Sequence, residues 1–461
     1  MTRDDAIHSG ASAGSPDTIV GIATAAGPSA VGIVRLSGPG AINAAGRVVR
    51  APALLGTFAS HKLRRVAIVD PGSGEALDDA LCVVMHAPRS YTGEDVVEIH
   101  THGSPGLLAM VVERLREAGA RLAAPGEFTR RGFLNGRIDL AKAEAVALLI
   151  GARTDRAVVL AARALGGDLK RVAEQVREDV LDLIAGLEVT LDFPEDGVGL
   201  DVGAAGARVD ALMGAVQRLV SGARRGRLVH EGLSIAIVGP PNAGKSSLLN
   251  ALVGTDRAIV SATPGTTRDV VEATIAVDGV PVRLLDTAGL GTARDAIDAE
   301  GMRRSRKALE ESDAVIVVLD RSVAPDGSIL DDTAHRPRVV VLAKADLPAD
   351  PAVGALSGAV HVSALTGAGL DTLLVELESF VASRSGTDGD EGALVASLRQ
   401  LERLEDLERA LARATRTLRE APLEAGLVDL HGAFGLTGEL LGVEPRDDVL
   451  DRIFSTFCVG K

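Results

Sequence analysis

Residues 239–246 read Gly-Pro-Pro-Asn-Ala-Gly-Lys-Ser, an unbroken G-x-x-x-x-G-K-[ST] loop. It lies between an apolar strand-like run, Leu233–Val238, and a helical stretch, Ser247–Leu252. Strand, glycine loop and helix in that order form a phosphate cradle, and this restricts the fold more than any other feature of the chain. Gly239 and Gly244 let the backbone curl so that successive N–H groups converge on phosphate oxygens, at the positive end of a helix. Lys245 supplies a point charge for the outer phosphates, and the Ser246 hydroxyl is placed to ligate Mg²⁺. Asn242, Ala243, Gly244, Lys245, Ser246 and Ser247 are the expected nucleotide contacts.

A chain of 461 residues exceeds one ordinary core and suggests about three domains. With eight Phe, one Tyr and no Trp, the cores must be built from Ala, Val, Leu and Ile, and base-stacking platforms for single strands are disfavoured. A net charge of −14 argues against nonspecific nucleic-acid binding through a basic field, so an RNA substrate would need a local patch or a partner. Two distant cysteines, Cys82 and Cys458, exclude a disulfide framework or cysteine metal cluster and fit a reducing compartment. No apolar h-region opens the chain and no run has the length of a membrane span, so the reading is cytoplasmic.

The expected fold class is multidomain α/β and α. Residues 1–134 alternate short β-like runs (Thr18–Thr24, Val31–Leu36, Ala80–Met85, Val96–His100) with one helix, Gly106–Ala118, and read as an α+β domain. Residues 135–228 turn helical, with Val172, Val176, Val180, Leu183 and Leu187 on one stripe. Residues 229–384 alternate strands (Ser234–Val238, Val280–Leu285, Val315–Leu319, Val339–Leu342, His361-Val362) with helices, as in a mostly parallel sheet. After the linker Ser383–Gly392, residues 385–461 resume a helical stripe at Leu394, Leu398, Leu401, Leu404, Leu407 and Leu411. The simplest architecture folds the two helical flanks together, making the P-loop domain an insertion; two independent bundles are the alternative.

Asp286-Thr287-Ala288-Gly289 ends an apolar strand as a D-x-x-G switch, where Asp meets Mg²⁺ through water and Gly meets the γ-phosphate. Between it and the P-loop lies Ser261-Ala262-Thr263-Pro264-Gly265-Thr266-Thr267-Arg268-Asp269, a loop able to place a Thr hydroxyl on Mg²⁺. Ala343-Lys344-Ala345-Asp346 resembles the guanine motif N-K-x-D with Ala in place of Asn, and Ser363-Ala364-Leu365 resembles the loop that closes over the base. An Asp carboxylate accepts from guanine N1–H and N2–H₂, which adenine cannot satisfy. These ordered motifs favour GTP over ATP.

Asn242 together with Gly265–Asp269 resembles the potassium-dependent GTPases. That resemblance implies K⁺ on Asn242, Ser261, Thr263 and Thr266, and Mg²⁺ on Ser246 and Thr267; a plain turn residue is the other reading of Asn242. The flanks are more specific. Asp17–Val20, Val31–Gly38, Tyr91–Glu98, Pro125–Thr129, Phe133–Leu140, Leu191–Glu195 and the terminal Phe457-Cys458-Val459-Gly460-Lys461 resemble the MnmE (TrmE) family of tRNA-modification GTPases from Asp17 to Lys461. The resemblance implies a homodimer formed through N-terminal domains that bind a formyl- or methylene-tetrahydrofolate derivative. It also implies a partner, the flavin protein MnmG, in a heterotetramer or larger assembly. Together the two install an aminomethyl or carboxymethylaminomethyl group on C5 of the tRNA wobble uridine.

Carried over residue by residue, the folate contacts fall on Arg35, Glu98, Arg137 and Lys461. Cys458 becomes the family's terminal Cys, implicated in modification, with a small buried hydrophobe as the other reading. The carboxylate that orients the attacking water falls on Asp298, one methylene shorter than the family's Glu, with Glu300 nearby as the alternative. Ala25-Ala26-Gly27-Pro28 replaces the usual Pro-Pro-Gly-Arg. Cys82 reads as core, and His100, His102 and Tyr91 as structural. Arg303, Arg304, Arg306 and Lys307 read as a solvated face or a tRNA or partner contact. A GTP-switch binding protein of ribosome assembly is the alternative function.

Overall fold

The computed structural model describes residues 17–193, 200–255, 257–259, 272–286, 309–325, 327–385, 394, 396–443, 447–458 and 460. The chain divides into two compact units: residues 1–147 with 442–461, and residues 148–441.

The first unit is built on six strands: β1 (Ile19–Ile22), β2 (Ser29–Ser37), β3 (Arg64–Val69), β4 (Ala76–Met85), β5 (Val96–Gly103) and β6 (Arg121–Leu122). They lie in the order β3-β4-β5-β2-β1-β6, antiparallel except for β1 with β6. Alternation sends Val34, Leu36, Cys82, Val84, Val97 and Ile99 to one face, where helices α1 (Ala41–Arg47) and α2 (Pro105–Glu117) cover them. Arg35 and Glu98 are directly opposed in the β2–β5 register, and the same alternation sends both to the other face. Ile19 packs there against Phe128 of α3 (Glu127–Leu134).

Residues 442–461, read from the sequence as the tail of the second helical segment, group with this first unit. Leu450, Phe454 and Phe457 share a core with Leu140 and Ala143 from the start of α4 (Leu140–Gly151). Close approach makes glycine necessary at two points. A Cβ on Gly21 would meet Gly460 Cα at 3.2 Å, and one on Gly460, whose φ is +101°, would lie 2.2 Å from the Ile22 carbonyl.

In the second unit, α6 (Asp168–Asp192), α7 (Val202–Glu231), α11 (Leu398–Glu420) and α12 (Leu423–Leu441) form a bundle, while the shorter α5 (Asp155–Leu165) joins the neighbouring sheet. The expected stripes supply the bundle core: Val176, Val180, Leu183 and Leu187 meet Leu401, Leu404, Leu407 and Leu411. Burying each such side chain is worth about 1.5–3 kcal/mol before entropy is charged against it. The two helical flanks therefore fold together, and the residues between them contribute a sheet. Ser397 starts α11 with a reciprocal capping box to Gln400.

That sheet has six strands, β7 (Leu233–Val238), β8 (Glu272–Val277), β9 (Val280–Asp286), β10 (Ala314–Asp320), β11 (Arg338–Ala343) and β12 (Val360–His361), in the order β12-β11-β10-β7-β9-β8. All are parallel except β8, an antiparallel edge that the sequence reading did not anticipate. Apolar apart from Ser234 and Asp320, β7 and β10 are central and buried on both faces, as parallel strands must be. Helices α8 (Lys245–Val253), α9 (Gly327–Asp332) and α10 (Leu370–Ser385) complete the described part of this layer. At the N-terminus of α5, Thr154 donates to the Gly279 carbonyl at 2.6 Å, tying that helix to the β8–β9 turn.

Candidate functional site: a phosphate cradle and a base-reading loop

The parallel strands β7, β9, β10 and β11 end along one edge of the sheet, where nucleotides bind in open α/β folds. Leaving β7, the chain passes Gly239, where a Cβ would lie 2.2 Å from the Val318 carbonyl. It then takes left-handed backbone at Asn242 (φ 63°) and Gly244 (φ 102°) before α8 starts at Lys245. Lys245 is buried, and its Nζ donates to the Gly239 and Pro240 carbonyls at 3.1 and 2.9 Å. Burial pushes its ammonium below the usual lysine range, against the opposing pull of the Asp286 carboxylate. A desolvated cation beside a glycine-built cradle gains most from an arriving polyphosphate.

Ser246 Oγ donates to Asp286 Oδ2 at 2.6 Å, while Asp286 Oδ1 is buried with no hydrogen-bond partner among the described residues. A hydroxyl and a carboxylate with an unsatisfied buried oxygen are a donor set suited to a hard divalent cation.

The loop expected to read the base follows β11. Lys344 has φ 59°, left-handed for a residue with a long side chain, at a cost of about 1–2 kcal/mol. Its Nζ donates to Asp320 Oδ2 at 2.5 Å. Burial would raise the Asp320 carboxyl, but the bonds from Lys344 and Ser322 outweigh it and hold the group below its ordinary value. Asp346 accepts from Ser363 Oγ at 2.5 Å, so the third and fourth motifs meet. Ala364 follows, half-buried, and Ser247 is exposed on the first turn of α8. Ala343 is nearly buried against the P-loop: a Cβ on Gly244 would meet its methyl at 3.6 Å. Asp320 and Arg321, at the end of β10, were not singled out from sequence, although the break of the apolar run at Leu319 marks the position.

In the first unit, Arg35 Nε donates to Glu98 Oε1 at 2.9 Å and Nη1 to the Gly460 carbonyl at 3.1 Å. Its guanidinium lies over the Phe128 ring, 5.7 Å from the centroid. Glu98 Oε2 also pairs with His100 Nε2 at 3.2 Å. Arg35 and Glu98 thus arrive as one joined pair rather than two independent charges. Arg137 is tied elsewhere, its Nε donating to the Ser90 carbonyl at 3.1 Å. Cys458 is exposed, whereas Cys82 is buried in the sheet core and its thiol is pushed up to about 12 by burial. His102 bonds Asp78 at 2.7 Å and Tyr91 bonds Thr129 at 3.0 Å. Ser261, Thr263, Gly265, Thr266, Thr267, Thr287, Ala288, Gly289, Asp298, Glu300, Lys461 and the basic cluster Arg303–Lys307 lie outside the described residues.

Comparison with known proteins places two family models on the chain. "GTP-binding protein TrmE N-terminus" matches residues 18–137 and "MnmE helical domain" matches residues 140–458. The tRNA modification GTPase MnmE of Moorella thermoacetica is 42% identical, covering 96% of this chain and 99% of that protein. Its namesake in Streptococcus agalactiae is 37% identical over 96% and 98%. Among solved structures, Era of Aquifex aeolicus bound to GDP and aluminium fluoride is 29% identical, covering 39% of this chain and 66% of that one at a TM-score of 0.28.

Proposed function

The chain belongs to the MnmE (TrmE) family of tRNA modification GTPases, and from that premise we propose that it hydrolyses GTP in the service of C5 modification of the tRNA wobble uridine. The observation that carries the reading is the cluster of Lys245, Ser246 and Asp286 at the strand ends, with a buried carboxylate oxygen that has no partner among the described residues. Ser246 and Asp286, with Thr267, would hold Mg²⁺, which when bound neutralises charge on the β- and γ-phosphates. Lys245 gives up two carbonyl partners to bind the outer phosphates, and the glycine loop orients them. Asp346, fixed by Ser363, reads the guanine edge.

The finer assignments rest on the family resemblance. K⁺ is held by Asn242, Ser261, Thr263 and Thr266, with Asn242 standing in the glycine loop just ahead of Gly244. Thr287, Ala288 and Gly289 sense the γ-phosphate, and Asp298 orients the attacking water. Arg35, Glu98, Arg137 and Lys461 serve a tetrahydrofolate derivative; the polar Arg35–Glu98–His100 cluster beside Gly460 supports a site for a carboxylate-bearing, N–H-bearing ligand there. The working unit is a cytoplasmic homodimer partnered by MnmG, with Cys458 serving modification. Among the described residues no helix is long and apolar enough to cross a membrane.

Two measurements test the proposal. GTP hydrolysis should be several-fold faster in KCl than in NaCl at matched ionic strength; equal rates would remove the potassium assignment. Mass spectrometry of tRNA from a strain lacking this gene should show unmodified wobble uridines, restored by the wild-type chain and not by Lys245→Ala. Normal uridines with a ribosome-assembly defect would favour the other reading.

A further inference from the structure

The guanine motif of this chain lacks its Asn, yet its base-reading loop holds a left-handed lysine. The residue beside that loop is Arg321. Its backbone N–H donates to the Ala343 carbonyl at 3.0 Å, and its guanidinium Nη1 donates to the Ala345 carbonyl, also at 3.0 Å. One residue therefore grips the carbonyls on both sides of Lys344. Its own carbonyl accepts from Asp350 N–H at 2.9 Å, which fixes the far end of the loop. Asp320, one residue earlier, holds Lys344 Nζ. Arg321 is half-buried, and its Nε is buried with no hydrogen-bond partner among the described residues. A guanidinium set this deep beside a ligand loop, with a donor unsatisfied, is costly unless positioning the loop repays it.

We propose that Arg321 is a positioning residue for guanine recognition, clamping the Ala343–Asp346 loop from the end of β10 where the loop's own side chain at 343 cannot. The inference deepens the reading of Asp346 as the guanine acceptor and rests on it. A charged donor on a backbone carbonyl is a strong tether, and Ala345 lies next to Asp346, so its loss lets the carboxylate wander from the base edge. Asn at 343 would add a second tether from the P-loop side, where the Ala343 methyl already lies against Gly244. The two devices should therefore compensate for each other.

The test uses the full chain and two nucleotides, GDP and IDP, which differ only in the 2-amino group that Asp346 accepts from. Arg321→Ala should weaken GDP binding by roughly tenfold, as expected for losing one charge-assisted bond. It should also lower the GDP-over-IDP preference by at least about threefold, because carboxylate placement is what that preference reads. Arg321→Lys should fall between, keeping charge without the planar fork. Adding Ala343→Asn to Arg321→Ala should restore both quantities by more than it improves the wild type. An Arg321→Ala variant with the wild-type GDP-over-IDP preference overturns the inference, as does one in which both affinities fall equally and Ala343→Asn rescues neither. Asp346→Asn separates the levels. If it leaves GDP affinity intact, the base assignment itself fails and takes the inference with it. If it abolishes GDP binding while Arg321→Ala keeps the wild-type preference, only the inference fails.

Discussion

Two cysteines with different surroundings give a direct experiment at the scale of single residues. Cys82 lies in the sheet core with its thiol pushed up to about 12, so at pH 8 it stays protonated and shielded, whereas Cys458 is exposed. Titration with a disulfide reagent at pH 8 should find one fast thiol in the native protein and two in guanidinium chloride. Two fast thiols in the native protein would contradict the buried strand. At the base loop, Ala343→Asn should tighten GDP binding several-fold in a fluorescent-nucleotide titration, since a buried side-chain tether is worth about 1 kcal/mol. Weaker binding would mean that the methyl contact with Gly244 leaves no room for the amide. The placement of Lys245, Ser246, Asp286 and Asp346 at the glycine loop and the strand ends was legible from sequence, because each stands at a fixed offset from a glycine or a strand end. Arg321 was not, because its role depends on the parallel β10–β11 register, which brings positions far apart in the chain together. The joining of Arg35 to Glu98 was hidden for the same reason, since only the β2–β5 register opposes them.

Among elements, the stripes that repeat every three or four residues translated directly into α6 and α11, because burial of Leu and Val faces dominates helix placement. Edge strands β3 and β8 were harder to read: β3 begins with exposed Arg64 and Arg65, and the buried face of β8 is only Ala273, Ile275 and Val277, a short alternation joined to β9 by the Asp278-Gly279 turn. Caps are small by comparison and testable. Ser397→Ala removes the hydroxyl that accepts from the Gln400 N–H, leaving only the backbone half of the α11 capping box, and should cost about 1 kcal/mol in urea unfolding. Acid should act first on the start of β1 and on α3. There Arg131 bonds Glu94 and Glu127 and meets Asp17, and Arg121 reaches Asp17 and Glu127. The Asp17 carboxyl is held low chiefly by Arg121. Glu127 is held low by Arg121, the Ala124 N–H and Arg131 against the opposing effect of burial. Groups depressed in the folded state contribute stability above their ordinary values and lose it as pH falls through the lowered ones. Arg131→Gln should therefore raise the acid-unfolding midpoint of the first unit, followed through Tyr91, the single tyrosine. An unchanged midpoint would show the network to be idle.

At the scale of the molecule, the P-loop cluster and the Arg35–Glu98 pair belong to different units with separate cores. Arg35→Ala should weaken binding of a tetrahydrofolate derivative by calorimetry while basal GTP hydrolysis stays near wild type. Loss of hydrolysis in that variant would refute the independence of the two sites. The two helical flanks read from sequence as one bundle in the simplest arrangement, with two independent bundles left open, and the shared core of α6, α7, α11 and α12 joins them. That residues 442–461 return to the first unit was not legible, because Leu450 and Phe454 on a short helix, with Phe457 just beyond it, fit either neighbour. That return bears on how the protein is made. Leu140 and Ala143 leave the ribosome long before Leu450, Phe454 and Phe457, which cover them, and the whole second unit is translated in between. At about 5–20 residues per second the interval is on the order of 15–60 s. Throughout it the nascent first unit presents an uncovered apolar edge, a ready target for chaperones. A messenger cut short within the second unit yields a chain whose first unit can never close.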